Sequence, residues 1–470
     1  MLTFVSPVAP TLAADTLPDL GEVSQSVFSA QTERKVGEAI MRDIRLDPAY
    51  LDDPEITDYL NDLGYRLASH SGNNRQEFEF FLIKDSTLNA FALPGGYIGV
   101  HTGLILATQT ESELAGVLAH EIAHVTQHHI ARMVAAESRN TMTTLAALAV
   151  AILAARSNGQ VASAAVATAQ ATSIQNQLDF TRENEREADR VGLQTLLAAN
   201  YDPRGMANFF ERLQKNTRVY ENNAPSYLRT HPLTTERIAD MESRVAELPY
   251  RQVADSLEFQ LSRAKLRAAV GSPREAVAFF EDALRERKYA SEAAMRYGLT
   301  TALLRAKQYA QAEKELAQLR KALPASHPMV EVLAGELETA EGRTAELLAH
   351  YRRAIKSFPF HRALIYGYAD ALLQARDPAT ALNIVENRLR STPSDHRLYE
   401  FQARAYAQQG KHLLEHRALG EALATRGNFA GAVEQMQIAL KAGDGDFYQL
   451  SSVEARLKEL RALDAESRKR

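Results

Sequence analysis

The sequence predicts a mainly α fold of the α+β class, in which a domain with a small β-sheet is followed by an α-solenoid. A Pro-free apolar run around His120 predicts a buried helix, and short segments of alternating polarity between residues 77 and 100 predict strands. From about Leu257, amphipathic helices follow one another to residue 470. We expect three parts, which are residues 1–14, 15–250 and 251–470.

Composition argues against several classes of function. The formal net charge of -5 over 470 residues gives no basic field for a nucleic-acid partner. The chain has no G-x-x-x-x-G-K-[ST] motif, which argues against an ATP-driven protease. It also has no cysteine, so neither disulfides nor thiolate metal ligands are available. The hydrophobic fraction of 45% is enough to bury more than one core.

Residues 1–14 are weakly polar and end in small side chains, which is typical of the last part of an export signal. The first basic residue is Arg34, so the basic segment of such a signal is missing. We favour the tail of an export signal whose start lies upstream over the alternative of a disordered N-terminus. A second apolar stretch, residues 141–155, is shorter than the roughly 20 residues of a membrane span. Residues 141–174 predict two helices, which form either a plain packed pair or a lid.

The first elements are predicted from periodicity and turn residues. Residues 33–45 and 54–68 carry helical periodicity, and residues 77–83 alternate in polarity like a strand entering a core. Residues 89–93 and 97–100 predict two short strands around a Pro-Gly-Gly turn. The residues of the resulting sheet edge are Asn89, Ala90, Phe91, Ala92 and Leu93. This edge is either that of an ordinary hairpin or a substrate-binding one.

The motif His120-Glu121-Ile122-Ala123-His124 lies inside the apolar run. Residues 110–113 ahead of the run have the form of a capping box, which begins the helix there. In a helix, His120 and His124 share one face and can bind one metal ion. Glu121 lies about 100° around the helix, beside such an ion, where a carboxylate can take a proton from metal-bound water. These residues predict a zinc site.

This motif is short, and the chain has thirteen histidines, so the motif is weak evidence by itself. His128 and His129 follow closely. His128 continues the same helix face, but it lies about 12 Å along the axis from His120 and cannot reach the same ion. A third protein ligand must therefore come from elsewhere in the chain.

The acidic segment from Glu183 to Gly192 is the candidate source of that ligand. In a helix, Glu185 and Asp189 share a face, so Glu185 can bind the metal while Asp189 holds the second N–H of a ligand histidine. Charge-dense helices are usually solvated, and it is the preceding histidine motif that favours a metal site here. By chemistry alone, Glu183 and Glu187 are alternatives to Glu185.

His231 lies in the segment Arg229-Thr230-His231-Pro232-Leu233, after a helix that begins at Asp202-Pro203. The segment predicts a loop, because the residue before a proline avoids helical geometry. We expect the side chain of His231 to be exposed, and an exposed single histidine is usually inert.

The C-terminal half has an internal repeat. Pro324, Pro359 and Pro393 close successive helix pairs at spacings of 35 and 34 residues, which is the tetratricopeptide period. The period fades after about Phe401, as it does in a terminal cap. The glycines expected in or near the turns of the helix pairs are Gly298, Gly342, Gly410 and Gly427.

Taken in order, these motifs resemble the M48 family of zinc metallopeptidases, and the resemblance covers nearly the whole chain. The residues that carry it are His120-Glu121-x-x-His124, Glu185-x-x-x-Asp189, the segment from Asn89 to Gly96 and the segment from Arg229 to Leu233, followed by the repeats. The resemblance implies a zincin-like metalloprotease domain that binds one Zn²⁺ ion through His120, His124 and Glu185.

The resemblance also implies roles for the remaining candidates. Glu121 acts as the general base, and Asp189 orients a ligand histidine. His231 approaches the metal as a fourth ligand and holds the enzyme inactive until it is displaced. The strand from Asn89 to Leu93 binds the substrate by β-augmentation.

For function, the resemblance implies a zinc-dependent endopeptidase of the Gram-negative periplasm that degrades misfolded or stalled outer-membrane proteins and assists their assembly. Its partners are then unfolded or stalled outer-membrane β-barrel proteins and their insertion machinery, with peripheral contact to the outer membrane through these partners. The alternative is an assembly chaperone or adaptor, whose repeat domain binds clients or the insertion machinery and whose metal site is mainly regulatory. A metal-free scaffold is a third alternative, which metal analysis tests.

Overall fold

The computed structural model describes residues 28–72, 76–136, 182–219, 227, 231–249 and 251–468. Helices dominate this part of the chain and accompany a three-stranded sheet, so the predicted fold class is confirmed. Within the described part, no helix combines the length and the apolar character that crossing a bilayer requires. The predictions for residues 1–14 and 141–174 fall outside the described residues.

The elements that the sequence predicts in the described residues up to 249 occur in the predicted order, together with three further helices. They are α1 (Ala30–Leu46), α2 (Pro54–Ala68), β1 (Glu79–Ile83), β2 (Ala90–Leu93), β3 (Tyr97–His101), α3 (Thr102–Ala107), α4 (Glu111–Thr126), α5 (His129–Ala136), α6 (Arg182–Ala198), α7 (Arg204–Val219) and α8 (Thr235–Ala246). Helix α2 begins where its sequence indicates, because the Asp53 side chain accepts hydrogen bonds from the backbone N–H groups of Glu55 and Ile56.

The sheet has the strand order β1-β3-β2. Strand β1 runs parallel to β3, with Phe80 opposite Ile98, and β2 runs antiparallel to β3, with Ala92 opposite Ile98. Gly95 and Gly96 form the turn between β2 and β3 at φ of 80° and 85°, where other residues are strained. Strand β2 is therefore an edge strand, and among the described residues no strand pairs with its second edge.

Helix α4 lies at the centre of the N-terminal core, against β2 and helices α2, α6 and α7, and every residue from Glu111 to Thr126 is buried. Burial on all sides explains why its apolar residues form no one-sided stripe. The N-cap, Thr110, accepts a hydrogen bond from the N–H of Glu113, as the capping motif predicts. The Glu113 carboxylate accepts from the N–H of Gln109 instead of Thr110, so the return bond of the capping box is displaced by one residue.

Residues 257–467 form the α-solenoid, in which helices pack mainly against their neighbours along the chain. The helices are α9 (Leu257–Ala269), α10 (Pro273–Glu286), α11 (Glu292–Arg305), α12 (Tyr309–Ala322), α13 (Pro328–Ala340), α14 (Thr344–Ser357), α15 (Arg362–Gln374), α16 (Pro378–Leu389), α17 (His396–Gln408), α18 (His412–Thr425), α19 (Phe429–Lys441) and α20 (Phe447–Ser467). Pro324, Pro359 and Pro393 follow the ends of α12, α14 and α16, as predicted. Local packing of this kind gives successive small cores instead of one large core.

The turn glycines of the solenoid are predicted correctly at three positions and wrongly at one. Gly342, Gly410 and Gly427 have φ of 72°, 68° and 81° just after helix ends. Gly298 lies inside α11 instead, where a Cβ atom would come within 2.2 Å of the Phe280 ring. Its role is therefore to let the Phe280 ring of α10 pack against the backbone of α11.

The solenoid docks onto the N-terminal part through acidic residues around the start of α2. The ion pairs are Asp52 with Arg397, Asp58 with Arg362, and Lys265 with both Asp53 and Glu55. At the start of α4, the Glu111 carboxylate accepts hydrogen bonds from the N–H (2.9 Å) and the Oγ–H (2.7 Å) of Ser256, the N-cap of α9. The first solenoid helix and the central helix α4 are therefore joined at their N-termini.

Glu33 in α1 makes the stability of the fold depend on pH. Its side chain is buried, and burial raises the pKa of its carboxyl to about 7, against a smaller opposing effect of the Gly95 backbone. Because the folded state then holds this proton more tightly than the unfolded chain does, we expect the melting temperature to fall as pH rises from about 4.5 to about 7. In thermal melts, Glu33→Gln should reduce that fall, whereas Glu38→Gln, on an exposed side chain of the same helix, should not. Equal pH slopes for the two variants would contradict this role of Glu33.

Candidate metal centre

Helix α4 places His120 and His124 one turn apart on the same face. Their Nε2 atoms are 3.0 Å apart, and neither side chain is accessible to solvent. Both nitrogens therefore converge on one place where a cation can accept their lone pairs.

Glu185 reaches the same place from helix α6. Its Oε1 lies 3.4 Å from His124 Nε2, and its Oε2 lies 3.5 Å from His120 Nε2. Gly192 permits this close packing of the two helices, because a Cβ atom there would stand 3.0 Å from the His120 backbone nitrogen and 3.1 Å from its Cα. A larger residue at Gly192 would push α6, and with it Glu185, away from the two histidines.

His231 is 1% exposed, so the prediction of an exposed side chain is wrong. Its Nδ1 lies 2.9 Å from Glu185 Oε1 and 3.4 Å from His120 Nε2. The ring packs against that of Tyr227, with centroids 4.8 Å apart, and the backbone N–H of His231 donates to the Tyr227 carbonyl at 2.8 Å. The chain turns inward at His231, which the local loop signal of Pro232 does not reveal.

One ligand atom from each of His120, His124, Glu185 and His231 lies within 4.8 Å of the others, and all four side chains are buried. The contacts within this group measure 2.9 to 3.5 Å. Such separations match the edges of a tetrahedron of ligands around Zn²⁺, which are about 3.3 Å long for bonds of about 2.0–2.1 Å. Imidazole and carboxylate donors also suit zinc among the common divalent ions. The residues present therefore fit a zinc ion.

Glu121 lies beside this group. Its side chain is fully buried, and neither carboxylate oxygen has a hydrogen bond of normal geometry to another described residue. Its Oε1 lies 3.5 Å from His231 Nε2. Burial raises the pKa of this carboxyl, which His231 and His120 partly offset. A buried carboxylate with unsatisfied oxygens is a candidate proton acceptor for a water molecule.

Asp189 and Arg237 contact the ligand group on the side of His120 Nδ1. Asp189 Oδ1 lies 3.0 Å from His120 Nδ1, the nitrogen that faces away from the other ligand atoms. Arg237 donates to both Asp189 oxygens, at 2.7 and 2.8 Å, and its Nη1 lies 2.7 Å from Glu185 Oε2. Burial alone would raise the pKa of Asp189, but hydrogen bonds from Arg237 and His120 hold it below its usual value. Arg237 thus helps to keep Asp189 ionised and forms an ion pair with Glu185.

The two histidines of α4 have different pKa values. Burial lowers the pKa of His124 to about 3, so its ring is neutral and has a lone pair for a metal. Burial also lowers the pKa of His120, but Asp189 and Glu185 outweigh this effect and raise it to about 10. A metal must therefore displace a proton from His120, which makes metal affinity fall at low pH.

Comparison with known proteins assigns these features to a family. Residues 54–245 match the model of peptidase family M48, and residues 267–334 match that of the tetratricopeptide repeat. The chain is 32% identical, over 98% of its length, to a beta-barrel assembly-enhancing protease of Escherichia coli O157:H7, of which it covers 94%. The chain belongs to peptidase family M48. The resemblance found in the sequence is confirmed, and this M48 protein is a protease of the metallopeptidase class with tetratricopeptide repeats.

Further relatives of this M48 protease agree. It is 30% identical to the beta-barrel assembly-enhancing protease of Yersinia pestis, over 97% of its own length and 94% of the relative. It is also 31% identical to a mitochondrial metalloendopeptidase of Schizosaccharomyces pombe, over 40% of its own length and 53% of the relative. Membership of the family implies a divalent metal, typically zinc, and the buried histidine and glutamate group is compatible with one.

The structure of the M48 protease separates Glu185 from its two alternatives. Glu183 is exposed on α6. Glu187 faces other partners, since its Oε2 lies 3.2 Å from His129 Nε2 and 2.6 Å from Arg132 Nη2. Among the described residues, the group that could hold a metal therefore contains Glu185 and neither Glu183 nor Glu187.

Sequence reasoning misses Arg237, which lies in the first turn of α8, six residues after His231. The signal that could reveal it is electrostatic. If Glu185 and Asp189 are both buried in their ionised forms, the fold needs a buried cation nearby. Arginine is suited to this role because its planar fork can hold two carboxylates at once.

Sequence reasoning also gives no role to His129, because a straight-helix projection turns it away from His124. The structure breaks the helix at His128, whose φ is 51°, and α5 begins with His129. His129 Nδ1 then lies 2.8 Å from His124 Nδ1. Local spacing contains no signal for this break.

Strand β2 passes next to the candidate metal centre of the M48 protease. The backbone of Ala92 in this strand lies close enough to the Glu121 carboxyl to lower its pKa, although the larger effect of burial raises that pKa. Just before the strand, the Leu88 carbonyl accepts a hydrogen bond from the N–H of Tyr227 at 3.1 Å. The edge strand is therefore close to Glu121 and is anchored to the segment that carries His231.

Proposed function

We propose that the chain is a zinc-dependent endopeptidase of the periplasm that degrades misfolded or stalled outer-membrane proteins and assists their assembly. The observation that carries this proposal is the buried group of His120, His124, Glu185 and His231, with the unsatisfied carboxylate of Glu121 beside it. The names of the relatives support substrates that belong to β-barrel assembly. The proposed partners are unfolded or stalled β-barrel proteins and their insertion machinery, which bring the enzyme to the outer membrane.

In this proposal His120, His124 and Glu185 hold the zinc ion. When bound, zinc polarises the scissile carbonyl and lowers the pKa of water from about 15.7 toward about 7. Glu121 accepts the proton of the attacking water and passes it to the leaving amine. Its oxygens suit this task because neither has a hydrogen bond of normal geometry to another described residue. Asp189 accepts the Nδ1 proton of His120 and so keeps the Nε2 lone pair directed at the ion.

The substrate is proposed to bind along β2 as an added strand. Among the described residues, β2 pairs with β3 alone, so its second edge offers backbone N–H and C=O groups. The residues of this proposed substrate edge are Asn89, Ala90, Phe91, Ala92 and Leu93. Recognition through the backbone tolerates many side chains, which suits an enzyme that acts on stalled β-strand proteins of varied sequence.

Purified protein tests the proposed function. We expect about one zinc ion per chain, and cleavage of an unfolded outer-membrane β-barrel protein but not of the same protein folded in detergent. A chelator should stop cleavage, and added zinc should restore it. Cleavage that survives chelation, or no metal uptake from zinc-containing buffer, would reject a zinc peptidase. Equal cleavage of folded and unfolded protein would reject the proposed substrate class.

His231 is proposed to restrain the enzyme by taking the fourth ligand position. Its Nδ1 lies 2.9 Å from Glu185 Oε1 and 3.4 Å from His120 Nε2. These distances are no longer than the 3.5 Å between Glu185 Oε2 and His120 Nε2. We expect His231→Ala to raise kcat/KM severalfold with little change in zinc content, because three ligands remain. Cleavage of an unfolded reporter protein and metal analysis measure the two effects, with the exposed His70→Ala as control. An unchanged rate would show that His231 is inert, and a lower rate would show that it supports the transition state.

An assembly chaperone or adaptor is the second candidate function. Phe447 and Tyr448, at the start of α20, are 77% and 82% exposed, and such a pair of exposed aromatic rings favours a binding role for the solenoid. Expression of Glu121→Gln in cells that lack the native protein tests this candidate. If the variant restores outer-membrane protein assembly as well as the wild type does, binding by the solenoid carries the function. If it fails while being present at normal levels, proteolysis carries it.

A further inference from the structure

His124 has a buried neighbour on the side that faces away from the metal centre. Its Nδ1 lies 2.8 Å from Nδ1 of His129, a side chain that is not accessible to solvent, and the two ring centroids are 4.8 Å apart. Beyond His129, its Nε2 lies 3.2 Å from Glu187 Oε2, and Arg132 Nη2 lies 2.6 Å from the same oxygen. A chain of four side chains therefore runs from the candidate metal centre to Arg132, which is partly exposed.

Hydrogen-bond chemistry determines where the protons lie along this chain. His124 can bind a metal through Nε2 only if that nitrogen carries no proton, so the proton of the neutral ring is on Nδ1. This N–H then donates to His129 Nδ1, which is an acceptor, and the proton of His129 is on its Nε2. The Nε2–H donates to the Glu187 carboxylate, which Arg132 keeps charged. With His124 ready for a metal, the N–H groups of both histidines along this path meet acceptors.

We propose that His129 is a positioning residue for the metal site, which accepts the Nδ1–H of His124 and so fixes the tautomer and the ring angle of that ligand. The inference rests on the proposed metal centre. His120 has a matching arrangement, with Asp189 as the acceptor and Arg237 behind it. The neighbour of His124 is a neutral imidazole, whereas the neighbour of His120 is a carboxylate. His129 therefore orients His124 without placing another charge in contact with that ligand.

Three elements of the fold cooperate to hold His129. Helix α4 supplies His124, and the break at His128 allows α5 to begin with His129 directed back at it. Helix α6 supplies Glu187 two residues after Glu185, so the helix that carries the third ligand also anchors His129. Movement of α6 would therefore affect both Glu185 and the orientation of His124.

Two substitutions of His129 separate positioning from packing. His129→Leu fills the space without an acceptor, whereas His129→Asn puts Oδ1 where Nδ1 stands and keeps an acceptor for His124. By competition with a chelator of known affinity, we expect zinc binding to weaken about 10- to 100-fold in His129→Leu and to recover largely in His129→Asn. In Co²⁺-loaded protein, the exchangeable Nδ1–H resonance of His124 should be present in the wild type and in His129→Asn, and absent in His129→Leu.

Glu187→Gln and Glu183→Gln form a matched pair on α6. Glu187→Gln should weaken zinc binding less than His129→Leu does, since the amide oxygen still accepts, and the exposed Glu183→Gln should leave it unchanged. Wild-type affinity in His129→Leu, or no recovery in His129→Asn, would overturn the positioning role.

Metal uptake by the wild type tests the proposed metal centre independently of the role of His129. If the wild type itself takes up no metal, the metal centre fails and the positioning role fails with it. If His129→Leu does not fold, His129→Gln replaces it, because its amide reaches toward Glu187 and leaves His124 without an acceptor. Wild-type affinity in that variant would equally overturn the proposal.

Discussion

Glu121→Gln is expected to lower kcat by about 10²- to 10⁴-fold, the usual contribution of a general base, while the fold and the zinc content are retained. The amide has the size of the carboxyl group but cannot accept the proton of an attacking water. Since the Glu121 oxygens have no hydrogen-bond partner of normal geometry among the described residues, the substitution breaks no such bond. Cleavage of an unfolded β-barrel protein by the two proteins at equal zinc content measures the effect.

The same substitution should stabilise the metal-free protein at alkaline pH. Burial raises the pKa of the Glu121 carboxyl, so the folded state binds its proton more tightly than the unfolded chain does. Stability therefore decreases as pH rises above the unfolded pKa, and Glu121→Gln removes this decrease. At pH 8 the variant should melt no lower than the wild type. The control Glu77→Gln, on a highly exposed side chain, should change neither activity nor melting temperature. Retained cleavage by Glu121→Gln would contradict the role of this residue as the base.

The parts of the metal centre that the sequence predicts are the ones that depend on helix geometry alone. His120 and His124 are four residues apart in one helix, and Glu185 and Asp189 are four apart in another, so each pair shares a face. The contact between the two helices does not follow from spacing. It depends on Gly192, whose missing Cβ lets α6 lie against the backbone of α4.

His231 and Gly298 show where local patterns fail. The proline after His231 correctly predicts a loop, but the exposure of a loop residue depends on what packs against it, here Tyr227 and Glu185. Gly298 lies within a helix because the Phe280 ring occupies the space of its missing Cβ, and the period of the repeats contains no trace of that contact. In both cases the deciding partner lies on another element, which no spacing rule can supply.

Arg237→Met is expected to destabilise the metal-free protein by about 3–5 kcal/mol, the typical effect of leaving a buried charge without its partner. The guanidinium is 3% exposed, donates to both oxygens of Asp189 and lies 2.7 Å from Glu185 Oε2. It also donates to the Pro232 carbonyl at 2.8 Å, which holds the segment next to His231. Methionine fills a similar volume and offers no donor, so Asp189 and the Pro232 carbonyl lose hydrogen bonds and Glu185 loses its ion-pair partner. Urea unfolding of the variant and the wild type measures the loss.

The dependence of this loss of stability on pH and on zinc distinguishes an electrostatic role of Arg237 from a role in packing. In the wild type the pKa of Asp189 is held below its usual 3.8, so its stabilising contribution is present above that pH and is lost as pH falls through the folded value. The deficit of Arg237→Met should therefore stay at its full size from pH 7 down to about 3.8 and shrink as pH falls further, and zinc should restore part of it by neutralising Glu185. Arg186→Met, which breaks an exposed pair with Glu236, should lose less than about 1 kcal/mol at any pH. A deficit that is independent of pH and zinc would mean that Arg237 acts by filling space, and Asp189 would then have to be protonated in the folded protein.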